Sequence, residues 1–248
     1  MPATAFTLLD ALTQGLAAAC YVSVGLAAWL RATGDIRTRV FLAFAFANLM
    51  VFGVPTVFWI RGAGDPTKLP AGATAAIMAG LGIGALLLFH FTQVFPRRRP
   101  WIRTAGIQMA VAYGVTPLAI AGMVRFAPAT PADLRPPYIL ALIVFGFPLM
   151  VLLGIVLPIA AIVSLSRSHR EMHGSGLLHL KRVLELVLLS QIGGGVLAIV
   201  FAPVLTVVAP NSASRLVLTV AIWALGLLTP IAYAAAVWKY DVLSLSAD

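Results

Sequence analysis

Charge is scarce in this chain. Only 10% of its residues are Asp, Glu, Lys or Arg, while 61% are hydrophobic; a soluble domain carries about 25% charged residues. A water-soluble fold could not hide so much apolar surface, so lipid is expected to solvate most of the molecule. Cysteine is nearly absent. Cys20 is the only one, which excludes an internal disulfide and any multi-cysteine metal or haem-attachment motif. There is no Walker loop, nucleophile elbow, zinc helix or dinucleotide fingerprint. The last apolar stretch also lacks the mid-membrane lysine that a retinal Schiff base requires. Catalysis within the chain is therefore not expected, and no cofactor or metal is assigned. Alternation of period two is missing as well, which argues against a membrane barrel.

What is present is a series of long apolar runs. A helix needs about 20 apolar residues to cross a ~30 Å hydrocarbon core. Seven stretches qualify: Phe6 to Leu30, Val40 to Ile60, Ala71 to Phe95, Thr104 to Phe126, Ile139 to Leu165, Leu184 to Ala209 and Leu216 to Trp238. Pro, Gly or charge breaks every junction. The first run is too long for a cleavable leader and has no basic stretch before it, so it reads as a retained span. The predicted organisation is a seven-transmembrane helix bundle over 1–238 and a short cytoplasmic tail over 239–248.

The basic residues give the direction. The first, third and fifth loops and the tail carry Arg31, Arg37, Arg39, Arg97, Arg98, Arg99, Arg103, Arg167, Arg170, Lys181, Arg182 and Lys239. The other side carries only Arg61, Lys68, Arg125, Arg135 and Arg215. Twelve against five puts the richer side in the cytoplasm and the N-terminus outside. Clustering between apolar runs also explains the net charge of +9 without nucleic acid. Trp59, Trp101 and Trp238 fall near the predicted water boundaries, where amphipathic rings are best solvated. The excess of Arg over Lys, with abundant Ala and Gly, fits a GC-rich bacterial genome and hence the bacterial cytoplasmic membrane.

Helices in lipid associate through small residues that let backbones approach. Gly80 and Gly84 in the third run, and Gly193, Gly194 and Gly195 in the sixth, are suited to that. Pro55, Pro117, Pro148, Pro158, Pro203 and Pro230 interrupt five of the runs. Each removes a helical hydrogen bond and is expected to kink its helix.

Few polar groups lie at membrane depth. Glu185 stands four residues after Lys181, which predicts an interfacial salt bridge, with a proton relay as the sharper alternative. His90, with Gln93 one turn away, reads as a hydrogen-bonded structural histidine; no second intramembrane histidine is available as a haem partner. Asn48, Gln108, Tyr113, Gln191 and Tyr233 could form an interhelical network or line a small-molecule pocket. In the fifth loop His169 and His173 would share a helical face, but no third ligand at a fitting spacing completes a metal site. A solvated, flexible loop is the expectation for Ser166 to Val183.

Two segments carry a resemblance. The third run closes as Leu88-Phe-His-Phe-Thr-Gln-Val-Phe-Pro-Arg-Arg-Arg-Pro100, and the chain closes as Leu228-Thr-Pro-Ile-Ala-Tyr-Ala-Ala-Ala-Val-Trp-Lys-Tyr-Asp-Val-Leu243. Both resemble the seven-helix N-terminal sensory region of bacterial histidine kinases and related signalling proteins. That resemblance implies a bundle that perceives a signal and passes it through its last helix to a cytoplasmic output partner. The matching positions are His90, Phe95, Pro96, Pro230 and Tyr233. The Lys239-Tyr240 pair stands where the family pattern has an arginine. With Asp248 about ten residues past the last run, the readings are a stand-alone sensor, a fragment, or a subunit of a larger membrane complex. A small-molecule transporter is a further alternative, although no internal repeat of the kind transporters show is evident.

Overall fold

The computed structural model describes residues 3–60, 71–96, 99, 106–125, 136–173, 178–196 and 213–244. Among these the chain is all-helical, with no strand. Helix α1 covers Ala3–Arg31, α2 Ile36–Asn48, α3 Val54–Ile60, α4 Ala71–Val94 and α5 Gly106–Arg125. Then follow α6 (Pro136–Ala141), α7 (Phe147–Val151), α8 (Leu157–His173), α9 (Leu178–Val196) and α10 (Ala213–Ala234). Five helical stretches are long and apolar enough to cross a membrane: Leu12–Arg31, Ile36–Phe58, Gly72–Val94, Ile143–Glu171 and Val220–Lys239. The protein is thus a membrane-type all-helical bundle.

The helices close a ring in which α1 packs on α2, α2 on α4, α4 on α8, α8 on α9, α9 on α10 and α10 back on α1. Helix α5 packs against α4, where Ile120 meets Leu86 and Leu153 in a small apolar cluster. The main core lies between α1, α2, α4, α8, α9 and α10 and includes Phe41, Phe91, Phe95, Leu165, Leu184 and Tyr233. Large apolar side chains on the outside, such as Leu16, Leu118, Phe145 and Val217, stay exposed, as lipid solvation allows.

Glycine sets the closest approach. At Gly80 a Cβ would stand 3.0 Å from the Ala47 carbonyl oxygen and 2.9 Å from the Met50 Cβ, so only glycine lets α4 lie this close to α2. Gly84 is less demanding, with its nearest neighbour 3.8 Å away. Gly193 faces Leu225 of α10. The surroundings of Gly194 and Gly195 and the side chain of Trp59 lie outside the described set, and Trp101 and Pro203 lie outside the described residues. Trp238 is exposed.

Three of the prolines are absorbed in the same way. Single π-helical turns occupy Leu49–Gly53, Leu142–Gly146 and Leu152–Val156, and each ends two residues before a proline: Pro55, Pro148 and Pro158. Proline offers no N–H and its ring crowds the carbonyl four residues back; a wider turn relieves both problems. The helix then continues, so 36–60 and 136–173 each run on as one rod. Pro117 and Pro230 instead sit inside α-helix.

The expectation of a flexible loop at Ser166 to Val183 is overturned. Helix α8 runs on to His173 and α9 begins at Leu178. Side-chain bonds hold these ends: Arg99 Nη1 donates to Glu171 Oε1 at 2.8 Å and Nη2 to Ser168 Oγ at 3.1 Å, and Ser168 is buried. The sequence pattern identified the charges there but not the partners that keep the segment helical.

Candidate functional site

The turn between α1 and α2 begins the site. Asp35 caps α2, accepting from the Arg37 backbone N–H at 2.7 Å. Thr38 Oγ1 lies 2.8 Å from the Ala32 carbonyl oxygen and 2.9 Å from that of Asp35, which closes the turn. This places Arg37, one residue into the helix, with its side chain directed into the bundle end rather than into water. It is 2% exposed.

A buried guanidinium needs an acceptor for each of its five N–H groups. Arg37 has them. Nε donates to Asp35 Oδ1 at 3.0 Å, and Nη2 donates to Asp35 Oδ2 at 2.6 Å and to the Leu243 carbonyl at 3.1 Å. Nη1 donates to the carbonyls of Pro96 at 3.1 Å and Val242 at 2.8 Å. One side chain therefore ties together the α1–α2 turn, the end of α4 and the segment through which the last helix leaves the bundle. Burial alone would raise the Asp35 carboxyl, but its hydrogen bonds to Arg37 and the guanidinium charge outweigh that and hold it below the usual carboxylate range.

The exit segment has the geometry to reach Arg37. After α10, a π-turn at Ala235–Lys239 ends the helix. Asp241 takes a left-handed φ of 46°, which a short polar side chain tolerates better than most, and the chain turns back through Val242–Ser244. Asp241 also pairs with Arg31 at 3.0 Å on the exposed rim. Val242 is buried.

Above the clamp stands a column of rings. Phe41 and Tyr233 stack with centroids 3.9 Å apart. Phe91 meets Tyr233 edge-on at 5.4 Å and stacks on Phe95 at 5.0 Å. Tyr21 continues the column through Phe41 and Phe44. One turn further along α10 lies Pro230. Its missing N–H leaves the Gly226 carbonyl without a helical donor, and Tyr21 Oη donates to that oxygen at 2.9 Å. Beside it, Thr229 Oγ1 donates to Ser190 Oγ at 2.8 Å and accepts from Gln191 Nε2 at 3.1 Å, joining α9 to α10.

The residues singled out from the sequence thus fall into separate places. Phe95, Pro96 and Tyr233 meet at the clamp. Gln191 joins the polar contact between α9 and α10 through Thr229, the residue before Pro230. His90 Nδ1 lies 2.9 Å from Tyr113 Oη across α4 and α5. Gln93 is buried and donates to Thr92 Oγ1 at 3.1 Å. Glu185 lies at the rim, 3.1 Å from His169 Nε2 and 3.8 Å from Lys181 Nζ, which bears out the salt-bridged reading. His169 faces Glu185 rather than a shared site with His173, whose side chain is outside the described set.

The single network suggested by Asn48, Gln108, Tyr113, Gln191 and Tyr233 is not formed. Asn48 bonds back to Phe44 of its own helix, Gln108 is exposed, and the other three lie in different contacts. Arg37 and Tyr21 were missed: one looked like an orientation charge and the other like an ordinary apolar-run aromatic. The Asp-X-Arg spacing at the start of a helix is the one signal that could have flagged Arg37.

No family model matches the chain, and no curated protein matches it.

Proposed function

We propose that this chain is a seven-helix membrane module that senses a signal and passes it through its last helix to a cytoplasmic protein partner, without catalysis of its own. It would sit in the bacterial cytoplasmic membrane, N-terminus outside and C-terminus inside. The observation that carries this reading is the Arg37 clamp. The two segments that resemble the sensory family, 88–100 and 228–243, each present carbonyls, those of Pro96 and of Val242 and Leu243, to one buried guanidinium. A displacement of α4 or α10 inside the membrane therefore reaches the exit segment.

Orientation has its own support. Of the twelve basic residues assigned to the cytoplasmic side, all but Arg97, Arg98 and Arg103 are described. Hydrogen bonds and ion pairs join the segments that carry them at one end of the bundle. In this reading the two crossings beyond the five apolar stretches are assigned to α5 and to the run that begins in α9.

A second reading, an accessory subunit of a larger membrane complex, is favoured by one feature. The 143–171 span is only 17% buried, against 28% to 35% for the other four spans, so one rod of the bundle has its apolar surface largely uncovered.

Gentle extraction from the native membrane, with identification of every co-purifying polypeptide and pigment, separates the two. A signalling enzyme whose activity changes with Pro230→Ala supports the sensor. A stoichiometric assembly with cofactor-bearing membrane proteins sinks it in favour of the subunit.

A further inference from the structure

Helix α8 carries one face that changes character along its length. Ile159 and Val163 are 55% and 44% exposed, and Arg167 and Arg170 are exposed beyond them. Steps of four, four and three residues keep these side chains within an arc of about 80° on a helix of 3.6 residues per turn. The helix is regular α-helix between them. Its other face, with Ala161, Leu165 and Ser168, is buried. Along one line the surface therefore passes from apolar to cationic over about 16 Å.

The protein does not neutralise that cationic end. Both carboxylates nearby are engaged elsewhere: Glu171 accepts from Arg99 at 2.8 Å, and Glu185 lies 3.1 Å from His169 Nε2 and 3.8 Å from Lys181 Nζ. Arg182 on α9 is exposed as well. Among the described residues of Arg99 and helices α8 and α9, five arginines and lysines thus stand against two carboxylates. Neither Arg167 nor Arg170 has a carboxylate partner among the described residues.

We propose that this face of α8 binds an anionic phospholipid, its acyl chains along Ile159 and Val163 and its phosphate between Arg167 and Arg170. Residues three apart on a helix are neighbours, with Cβ atoms about 5–6 Å apart, and a guanidinium fork matches phosphate oxygens two at a time. Arginines near the end of a spanning helix lay their stems on apolar surface and lift their charge to the headgroups. An amphiphile satisfies both halves of the face, whereas a soluble anion uses only the cations and an acidic peptide leaves the apolar half bare. A zwitterionic headgroup brings its own ammonium to compete with the guanidiniums, so the site selects lipid of net negative charge. The site depends on the membrane bundle alone and is independent of whether the last helix carries a signal.

The test uses the full chain with Cys20→Ser, reconstituted at low salt in vesicles of phosphatidylcholine and phosphatidylglycerol, with a fluorophore on Val163→Cys. A reference preparation carries the fluorophore on Leu118→Cys, an exposed position of α5 with no charged residue within one turn. One lipid or the other bears bromine on its acyl chains and quenches a fluorophore beside it, which gives the preference for phosphatidylglycerol at each position. That preference should be about 25-fold greater at Val163 than at Leu118, about fivefold for each arginine at an anionic surface. Arg167→Gln and Arg170→Gln should each lower it about fivefold at Val163, and the double variant should remove it. Unchanged quenching at Leu118 shows that the bundle is intact in each variant.

Equal preference at the two positions, or a preference at Val163 that survives the double variant, overturns the lipid site. Displacement of brominated phosphatidylglycerol by inorganic phosphate at matched ionic strength overturns it in favour of a soluble anion. A fluorophore at Val163 that neither lipid quenches, while Leu118 responds, overturns it in favour of a second copy of the chain covering this face.

Discussion

Tyr21 Oη donates to the carbonyl oxygen of Gly226 at 2.9 Å, the acceptor that Pro230 deprives of its helical N–H four residues on. A side chain on α1 thereby replaces a backbone donor that α10 cannot supply, and the helix passes the proline without a π-turn. In lipid an unmet carbonyl has no water to turn to, so this bond fixes α1 against that turn of α10. Tyr21→Phe should cost roughly 0.5–1.5 kcal/mol, the range for interhelical bonds in membranes. Pro230→Ala restores the N–H and makes the hydroxyl redundant. In that background Tyr21→Phe should cost less than about half as much, a coupling that a double-mutant cycle on detergent-induced unfolding would read directly.

Close helix packing makes a second, graded prediction. Gly80→Ala places a Cβ 2.9 Å from the Met50 Cβ and 3.0 Å from the Ala47 carbonyl oxygen, both near or on the backbone, so α2 and α4 must move apart. The expected loss is about 1–3 kcal/mol. Gly84→Ala meets its nearest neighbour at 3.8 Å and should stay within about 0.5 kcal/mol of wild type. Thermal unfolding followed by circular dichroism compares the two. Equal effects would mean that the Gly80 approach does not limit the packing.

The helical rods were legible in the sequence because each is a long apolar run closed by charge or proline. Residues 88–100 and 228–243 were singled out in the sequence by the resemblance. The contact between them was not. Arg37 binds carbonyls 59 and 205 positions away, and Tyr21 reaches one 205 positions away; hydropathy carries no trace of such pairings. Arg37 also looked like Arg39, an exposed cation of the same helix, because only three-dimensional context distinguishes a buried guanidinium from one that orients the chain. The π-turns before Pro55, Pro148 and Pro158 were foreseen only as kinks, since a proline announces a missing bond and not how the backbone will absorb it.

The clamp should be strongly cooperative. Arg37→Met leaves Asp35 and three carbonyls on two segments without their donor, and should cost about 3–5 kcal/mol, as breaking one partner of a buried ion pair does. Asp35→Asn retains a capping oxygen but removes the counter-charge of a guanidinium that is 2% exposed, and should fall in the same range. The double variant Asp35→Asn with Arg37→Met leaves no uncompensated charge, so it should cost clearly less than the sum of the two. Strict additivity in chemical unfolding would show that the two side chains do not act as a pair.

Acid supplies the last prediction. The Asp35 carboxyl is held below its ordinary value of 3.8 in the folded chain, so the folded state favours its ionised form more than the unfolded state does. A depressed carboxylate adds stability that is fully present above the unfolded value and is lost as pH falls through the folded one. Asp35 should therefore contribute a constant amount from neutral pH down to about 5, and lose it progressively as the pH drops through and below the ordinary carboxylate range. The measurement is the unfolding midpoint of wild type and Asp35→Asn across that interval. The gap between them should be widest and flat near neutrality and should narrow on the acid side. A gap that stays constant below pH 4 would mean that the Asp35 charge does not stabilise the clamp, leaving its side chain the role of a helix cap alone.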